Sequence, residues 1–171
     1  MKRIFLGIFC AFGAFLLGGC FSYKLAGTPT ELPFNSVYVQ PVKNYSYAPQ
    51  AAALLSNAIS QSLLQAPDIT LAGPDDAQAT LTTEIVDYTR TPIATQAHDT
   101  ALAASYMIMA TAKCTLTKSN GDVIFKDRKV KAKTYVYLNG SGALIFDEYQ
   151  NMPVLMRELG GKIKDAVIGI W

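Results

Sequence analysis

The chain has 171 residues; 50% are hydrophobic, 15 are basic and 13 are acidic, giving a formal net charge of +2. That length suffices for one domain with a substantial core. Near neutrality excludes a role carried by bulk charge, such as nucleic-acid or polyanion binding, and leaves only local clusters of charge.

Residues 1–19 have the pattern of a secretory signal peptide. Lys2 and Arg3 precede the uncharged run Ile4–Leu17. Its length of about fourteen residues suits a signal core and is short of the roughly twenty that a spanning helix needs. Leu17-Gly18-Gly19-Cys20 follows as the bacterial lipoprotein pattern, which predicts cleavage before Cys20 and acylation of its thiol. The alternatives are an uncleaved anchor, or ordinary cleavage with Cys20 incidental.

An acylated Cys20 would anchor the chain lastingly, because two or three acyl chains hold a protein where one holds it only marginally. Phe21, rather than Asp, follows the cysteine, which favours the outer membrane over the inner one. Residues 20–35 read as a lipidated tether that could extend to about 50 Å at ~3.3 Å per residue. Residues 36–171 are predicted to form a single domain.

The first half of that domain predicts a strand, a helix and a second strand. The strand Ser36–Gln40 alternates, and the helix Pro49–Leu64 has apolar residues on one face, with Pro49 in its first turn. In the strand Ala77–Thr89, one face carries Leu81, Thr83 and Ile85, and the other carries Thr82, Glu84, Val86 and Tyr88. A strand–helix–strand order favours a right-handed crossover with parallel strands.

The second half predicts an antiparallel hairpin. Arg90–Ala104 reads as a loop, and the strand Tyr106–Thr117 alternates. Asn120-Gly121 is a strong hairpin signal before the strand Val123–Tyr137. The alternation of this last strand changes phase, so we expect a β-bulge between Asp127 and Lys129, with Leu116 opposite Phe125.

The last segment predicts a helix over Asp147–Ile170, following a loop at Leu138–Phe146. Gly160 and Gly161 inside that helix mark either close approach to the sheet or a partner, or tolerated fraying. The predicted fold class is α/β (α+β), a two-layer sandwich with two amphipathic helices on one face of a mixed four-stranded sheet. The other sheet face is left uncovered.

Catalytic and metal-binding patterns are missing from the sequence, which predicts no enzyme and no cofactor. His98 has Asp99 beside it, but adjacency in sequence is not a triad, and a solvated loop histidine is favoured. After Cys20 is acylated, Cys114 is the last thiol of the mature chain, so no internal disulfide is possible. Its inward position on a strand favours a buried, inert thiol.

A basic stripe is the most informative charged pattern. Lys129, Lys131 and Lys133 point away from the predicted core, and the bulged register places Lys113 opposite Lys129. Such a like-charge pair costs energy unless something offsets it, and a phosphate-bearing ligand is one candidate. The alternative is a plain solvated sheet face.

The loops Arg90–Ala104 and Leu138–Phe146 are predicted to share one end of the sheet. Both are fairly apolar and nearly uncharged. They fit either contact with a protein wall or lipid, or ordinary loop composition.

Several short segments, taken in order, resemble the lipopolysaccharide-assembly lipoprotein family LptE. The opening Cys20-Phe21-Ser22-Tyr23-Lys24-Leu25-Ala26-Gly27 is similar to the start of its mature members, which have Cys, then an aromatic residue, then Leu and Gly. The further similar segments, which with this one span most of residues 20–170, are Val37–Pro41, Asn44 with Tyr47–Pro49, Leu54–Ile59, Asp76–Leu81 and Asp87-Tyr88.

The resemblance implies a two-layer sandwich that plugs an LptD-like outer-membrane β-barrel, assists its folding and binds lipopolysaccharide. The family's ligand contacts are basic. In this sequence the stripe and the loop next to it supply the candidates, which are Arg90, Lys131 and Lys133, together with Lys113 and Lys129. A second interpretation keeps the anchor and sandwich but makes the domain a periplasmic module that binds and activates a cell-wall synthesis enzyme. A third interpretation, an enzyme, ranks below these two because the sequence shows no nucleophile–base pair.

Overall fold

The computed structural model describes residues 32–96, 101–138 and 144–169. Over these residues the elements, in chain order, are β1 (Ser36–Val39), β2 (Lys43–Asn44), α1 (Ala51–Leu64), β3 (Thr70–Leu71), β4 (Ala79–Thr95), β5 (Ala103–Lys118), β6 (Val123–Tyr137) and α2 (Leu144–Ile168). The predicted signal peptide, Cys20 and the tether before Leu32 lie outside the described residues, as do His98 and Asp99.

One mixed sheet carries both helices, which confirms the predicted fold class. The strand order is β3-β1-β4-β5-β6, and β2 pairs separately with β4. β1 runs parallel to β4, as the strand–helix–strand order predicted, while β4, β5 and β6 are antiparallel. Over the described residues the sheet has six strands, whereas four were predicted. The two extra strands, β2 and β3, have two residues each, which is too short to show an alternating pattern.

The predicted loop Arg90–Ala104 is wrong at both of its ends. β4 continues through Thr95 and β5 begins at Ala103, so residues 90–95 and 103–104 are strand, and residues 97–100 lie outside the described residues. The β-branched residues of this stretch favour extended backbone even though Pro92 is present. Pro92 is accommodated because the register shifts directly after it, and bulges are where a strand tolerates proline.

A bulge in β4 at Val86 overturns part of the predicted face assignment. Ile85 pairs with Ala112 and Asp87 with Thr111, which leaves Val86 without a partner of its own. The extra residue reverses the alternation beyond it. Tyr88 therefore shares the helix side of the sheet with Ile85, although the sequence placed it on the opposite face.

The predicted bulge in β6 is confirmed, slightly earlier than expected. Leu116 pairs with Phe125 and Cys114 with Arg128, so the extra residue falls at 126–127 rather than between Asp127 and Lys129. Asp127 has φ 54, a left-handed conformation that Asp tolerates better than most residues. Its N–H donates to the Thr115 hydroxyl at 3.2 Å, which satisfies a group that the ladder leaves out.

The helices pack on one face and on each other. The α2 residues Met152, Leu155, Leu159, Ile163 and Val167 are all buried and form an apolar stripe, which agrees with the predicted amphipathic character of this helix. Gly160 lies against α1: a Cβ there would sit 2.8 Å from the Ala58 carbonyl carbon. Close approach therefore explains Gly160, although to the other helix rather than to the sheet or a partner. Gly161 faces open space.

The helix starts differ from the sequence prediction. α1 begins at Ala51 after Gln50, which has φ 53, so Pro49 precedes the helix and does not lie in its first turn. α2 begins at Leu144, three residues before the predicted Asp147. At the start of the domain, Phe34 is only 3% exposed, so the chain already packs into the core before β1.

Candidate functional site

The face of the sheet opposite the helices is open, and its residues form rows across three strands. Read from β6 through β5 to β4, the first four rows are Lys129–Lys113–Glu84, Lys131–Thr111–Asp87, Lys133–Met109–Thr89 and Tyr135–Met107–Thr91. The rows grade from charged at one end to apolar at the other. The bulge in β6 creates this order, because it brings the odd-numbered residues from 129 onward to the open side.

The positive charge of Lys113 is balanced by two carboxylates of the same protein. Its Nζ lies 3.3 Å from Glu84 Oε2 and 3.5 Å from Asp127 Oδ1. The hydrogen bond to Glu84, with the charges of Glu84 and Asp127, raises the pKa of the Lys113 ammonium above its usual value. The Lys113–Lys129 pair predicted from sequence is present. Its repulsion is offset by two carboxylates, so it does not require an anionic ligand.

The other three stripe lysines have a different environment. Lys129, Lys131 and Lys133 are exposed, and no carboxylate of the described residues forms an ion pair with them. Alternate residues of a strand are about 7 Å apart and share a face. The edge strand β6 thus presents three regularly spaced ammonium groups on the open side.

An apolar area adjoins the lysines. Met107 and Met109 are half-buried in the centre of the open face, and Tyr135 and Tyr137 beside them are 43% and 68% exposed. Of the six residues in the rows Lys133–Met109–Thr89 and Tyr135–Met107–Thr91, only Lys133 is charged. The lysines and this area together form an amphipathic surface, which we call the open-face strip (Lys129, Lys131, Lys133, Met107, Met109, Tyr135 and Tyr137).

Arg90 lies on the other side of the sheet, away from the strip. Its Nε is 3.3 Å from Glu148 Oε1, and the Tyr88 hydroxyl donates to the same carboxylate. The Arg90 guanidinium also lies 5.9 Å from the centre of the Tyr88 ring. Burial, and then the hydrogen bond to Glu148, raises the pKa of the Tyr88 phenol. The five predicted basic residues therefore do not form a single site.

Sequence reasoning missed Glu148, although a signal for it exists. Glu148 is four residues before Met152 and continues the apolar stripe of α2 toward its N-terminus. An acid on an apolar stripe needs a partner once it is buried, and Glu148 is 2% exposed. Arg90 and Tyr88 supply that partner because the Val86 bulge turns them toward α2.

Cys114 has the environment predicted for a structural thiol. It is fully buried, and the Thr83 hydroxyl donates to its Sγ at 3.7 Å. Burial raises the pKa of the thiol to about 11, so it stays protonated at neutral pH. Thiolate is the reactive form of cysteine, so this thiol is not a nucleophile.

The described residues offer no metal centre and no spanning helix. Nowhere in residues 32–96, 101–138 and 144–169 do three His, Cys, Asp or Glu side chains group closely enough to hold a metal ion. In the same ranges, neither helix combines the length and the apolar character needed to cross a bilayer.

Exposed apolar side chains gather at one end of the sheet, where β4 ends, β5 begins and α2 begins. We call this end the apolar tip; its described members are Ile93, Leu102, Tyr137, Ile145 and Phe146. The Leu138 N–H donates to the Ala104 carbonyl at 3.0 Å, so the chain after β6 meets the start of β5 there. β1 enters the sheet at the opposite end, since Val37 pairs with Ala79 at the start of β4.

The sequence pattern of the LptE family, described as lipopolysaccharide-assembly, matches residues 34–159. The chain belongs to the LptE family. That match begins at Phe34, which is buried just before β1, and ends within α2, next to the point where Gly160 meets α1. LptE proteins are non-enzymatic accessory lipoproteins of lipopolysaccharide assembly. Membership of this family indicates that the chain is a membrane-associated lipoprotein.

Solved structures share the fold at low sequence identity. The hypothetical protein CT253 from Chlamydia trachomatis has a TM-score of 0.55 and 16% identity, over 80% of this chain and 97% of that one. A minor lipoprotein from Acinetobacter baumannii has a TM-score of 0.52 and 13% identity, over 81% and 93%. These likenesses establish the fold alone. No curated protein matches the sequence closely enough to count as a relative.

Proposed function

We propose that this LptE-family protein is an outer-membrane lipoprotein that plugs an LptD-like β-barrel, assists its assembly and binds lipopolysaccharide as it passes to the outer leaflet. The observation that carries the ligand half of the proposal is the open-face strip. Among the described residues, three exposed lysines have no carboxylate partner and lie beside an apolar area, on the sheet face opposite both helices.

The strip matches the chemistry of an amphipathic, phosphate-bearing lipid. Ammonium groups form strong charge-assisted hydrogen bonds with phosphate oxygens. The half-buried Met107 and Met109 and the exposed Tyr135 supply adaptable apolar contact for hydrocarbon. Spacing of about 7 Å between successive lysines lets a single headgroup meet more than one ammonium group.

Fewer residues are available to contact the ligand than the five predicted from the sequence. Lys113 is already held by Glu84 and Asp127, and Arg90 is held by Glu148 on the helix side. A phosphate would compete with those carboxylates for either residue. We therefore assign ligand contact to Lys129, Lys131 and Lys133, and a structural role to Lys113 and Arg90.

The anchoring half of the proposal rests on Cys20. Acylation there would hold the domain at the membrane through residues 20–35, which can extend to about 50 Å at ~3.3 Å per residue. That reach is enough for the domain to dock within a barrel partner while its N-terminus stays in the bilayer. The apolar tip and the uncovered sheet face supply surface for the barrel wall.

The ligand assignment is tested by titrating the acylated protein, in neutral detergent, with lipopolysaccharide and with its dephosphorylated form. Changing Lys129, Lys131 and Lys133 together to Gln should weaken binding of the phosphorylated lipid at least tenfold, because three charge-assisted contacts are lost. Binding of the dephosphorylated form should change little.

A matched control removes the same number of charges elsewhere. Lys118, Arg157 and Lys164 lie off the strip, and changing all three to Gln should leave binding within about twofold. Equal weakening by both triple variants would reduce the strip to general electrostatic attraction and contradict the assignment.

The partner is tested by copurification from detergent-solubilised outer membrane. The proposal expects an integral β-barrel in equimolar amount. Recovery of a soluble cell-wall synthesis enzyme in that amount, with no barrel, would instead support the alternative in which this lipoprotein is an activator module.

A further inference from the structure

The free edge of β6 is an unusual feature of the sheet. β6 has 15 residues and is the last strand in the order β3-β1-β4-β5-β6, so within the part of the chain that the structure describes, one side of its backbone has no neighbouring strand. The strand at the opposite end of that order, β3, has only two residues. Long unpaired edges invite pairing with another chain, and natural proteins usually shorten or cover them.

The direction of the backbone groups along β6 follows from two hydrogen bonds. The Leu138 N–H donates to Ala104, which lies in β5, so even-numbered residues point their backbone toward β5. The Lys131 carbonyl instead accepts from Lys162 Nζ at 3.2 Å, which comes from α2. Because backbone direction alternates along a strand, the N–H and C=O groups of the odd-numbered residues 129–137 point outward.

Only part of this edge is covered. Lys162 caps the carbonyl of Lys131 and also pairs with Glu158 at 3.0 Å, and its side chain is 46% exposed. Within the described residues, the outward backbone groups of Lys129, Lys133 and Tyr135 have no comparable partner. A flexible, exposed lysine is a cap that an incoming strand can displace.

Charge selects the occupant of the edge. Lys129, Lys131 and Lys133 are among the residues whose backbone points outward, so the free edge is lined by three positive charges. A second copy pairing β6 with β6 would set lysines opposite lysines, which is unfavourable. A lipid has no peptide groups to continue the ladder. An extended peptide with acidic side chains at alternate positions satisfies both the backbone and the lysines.

We propose that the β6 edge from Lys129 to Tyr137 takes up an extended, acidic segment of a partner protein as an added strand, with carboxylates at alternate positions facing Lys129, Lys131 and Lys133. The added strand also displaces Lys162 from the Lys131 carbonyl. This inference rests on the backbone geometry of the edge and does not require the lipid contact proposed above.

The test uses the full acylated chain in neutral detergent micelles and a capped peptide of about nine residues that alternates glutamate and valine. The peptide should bind and slow hydrogen exchange at the outward amides of Lys131, Lys133 and Tyr135 at least tenfold, because each gains a backbone acceptor. A control peptide, N-methylated at the residues that face β6, keeps its charge but cannot donate to the edge; it should bind at least tenfold more weakly.

Two variants of the protein sharpen the result. Lys162→Ala frees the carbonyl of Lys131 and should tighten peptide binding severalfold. Lys131→Gln should weaken it severalfold through the lost charge pair. Equal binding of the methylated and unmethylated peptides would show plain charge attraction and overturn the proposal. Absence of amide slowing in both the wild type and Lys162→Ala would also overturn it and leave the lysines as edge protection.

The same data separate this inference from the lipid assignment. The lipid assignment is measured by lipid titration of the triple lysine variant. The strand addition is measured by peptide N-methylation and by exchange of the outward amides, so the two readouts are independent. Strand addition can therefore fail while the lipid contact holds, and the reverse outcome is equally visible.

Discussion

Glu148 shows how a single buried residue holds two layers together. Its carboxylate receives the Tyr88 hydroxyl and the Arg90 guanidinium, joining the start of α2 to the far half of β4. A buried carboxylate is costly unless it is paired, so Arg90 acts as a counter-charge for the fold. Its position on the helix side explains why it does not join the lysines that follow it in sequence.

We expect Arg90→Met to lower the free energy of unfolding by about 2 kcal/mol, since it leaves the Glu148 carboxylate without its cation. The exposed outer side of Arg90 keeps the loss below that of a fully buried pair. Urea denaturation followed by circular dichroism measures it. Arg157→Met, an exposed position on α2, is the control and should change stability by less than about 0.5 kcal/mol.

Adding Glu148→Gln to Arg90→Met should recover part of the loss, because the unpaired charge is then gone. A double variant no more stable than Arg90→Met would argue against the pairing.

The strands of this sheet were predictable where alternation is regular and misassigned where a bulge reverses it. In β6 the phase change was visible, because charged residues sit on odd numbers after Lys129. In β4 the bulge at Val86 could not be seen in the sequence, because Val86 and Tyr88 are both apolar or aromatic and the pattern shows no change of phase between them. Arg90 was grouped with the lysines because the sequence placed it in a loop next to them; in the structure it continues β4 beyond the bulge and lies on the helix side.

Other differences have separate physical causes. β2 and β3 are too short for any periodic signal and exist because they pair with β4 and β1. The long run of β4 past Arg90 was misread because Pro92 suggested a loop. The order of the long elements, the crossover and the lysine face were all derivable, since each depends on periodicity over many residues.

The adjacent glycines of α2 give a paired prediction. Gly160→Ala should lower the free energy of unfolding by more than about 2 kcal/mol, because the added Cβ would lie 2.8–2.9 Å from Ala58 and force the helices apart. Gly161→Ala faces open space and should raise it by up to about 1 kcal/mol through helix propensity. Urea denaturation of both variants measures the difference, and effects of equal sign would contradict the close crossing.

At the scale of the whole molecule, the proposed function depends on anchoring through Cys20 as well as on the folded domain. We expect Cys20→Ala to abolish incorporation of labelled palmitate and to release the protein from the membrane fraction, because residues 20–171 would then lack their lipid. Membrane fractionation and mass spectrometry measure both. Gly27→Ala in the tether should leave both unchanged, and a Cys20→Ala protein still retained in the membrane would contradict lipid anchoring.

The 17 residues of β4 run from the strand start beside β1 to the apolar tip. At ~3.3 Å per residue this is at most roughly 55 Å, which exceeds the roughly 40–45 Å thickness of a bilayer with its headgroups. The length of β4 therefore sets the distance between the end of the sheet where β1 pairs and the apolar tip. We expect insertions between Gln96 and Ala101 to change the surface of the apolar tip while leaving the pairing of β1 with β4 unchanged.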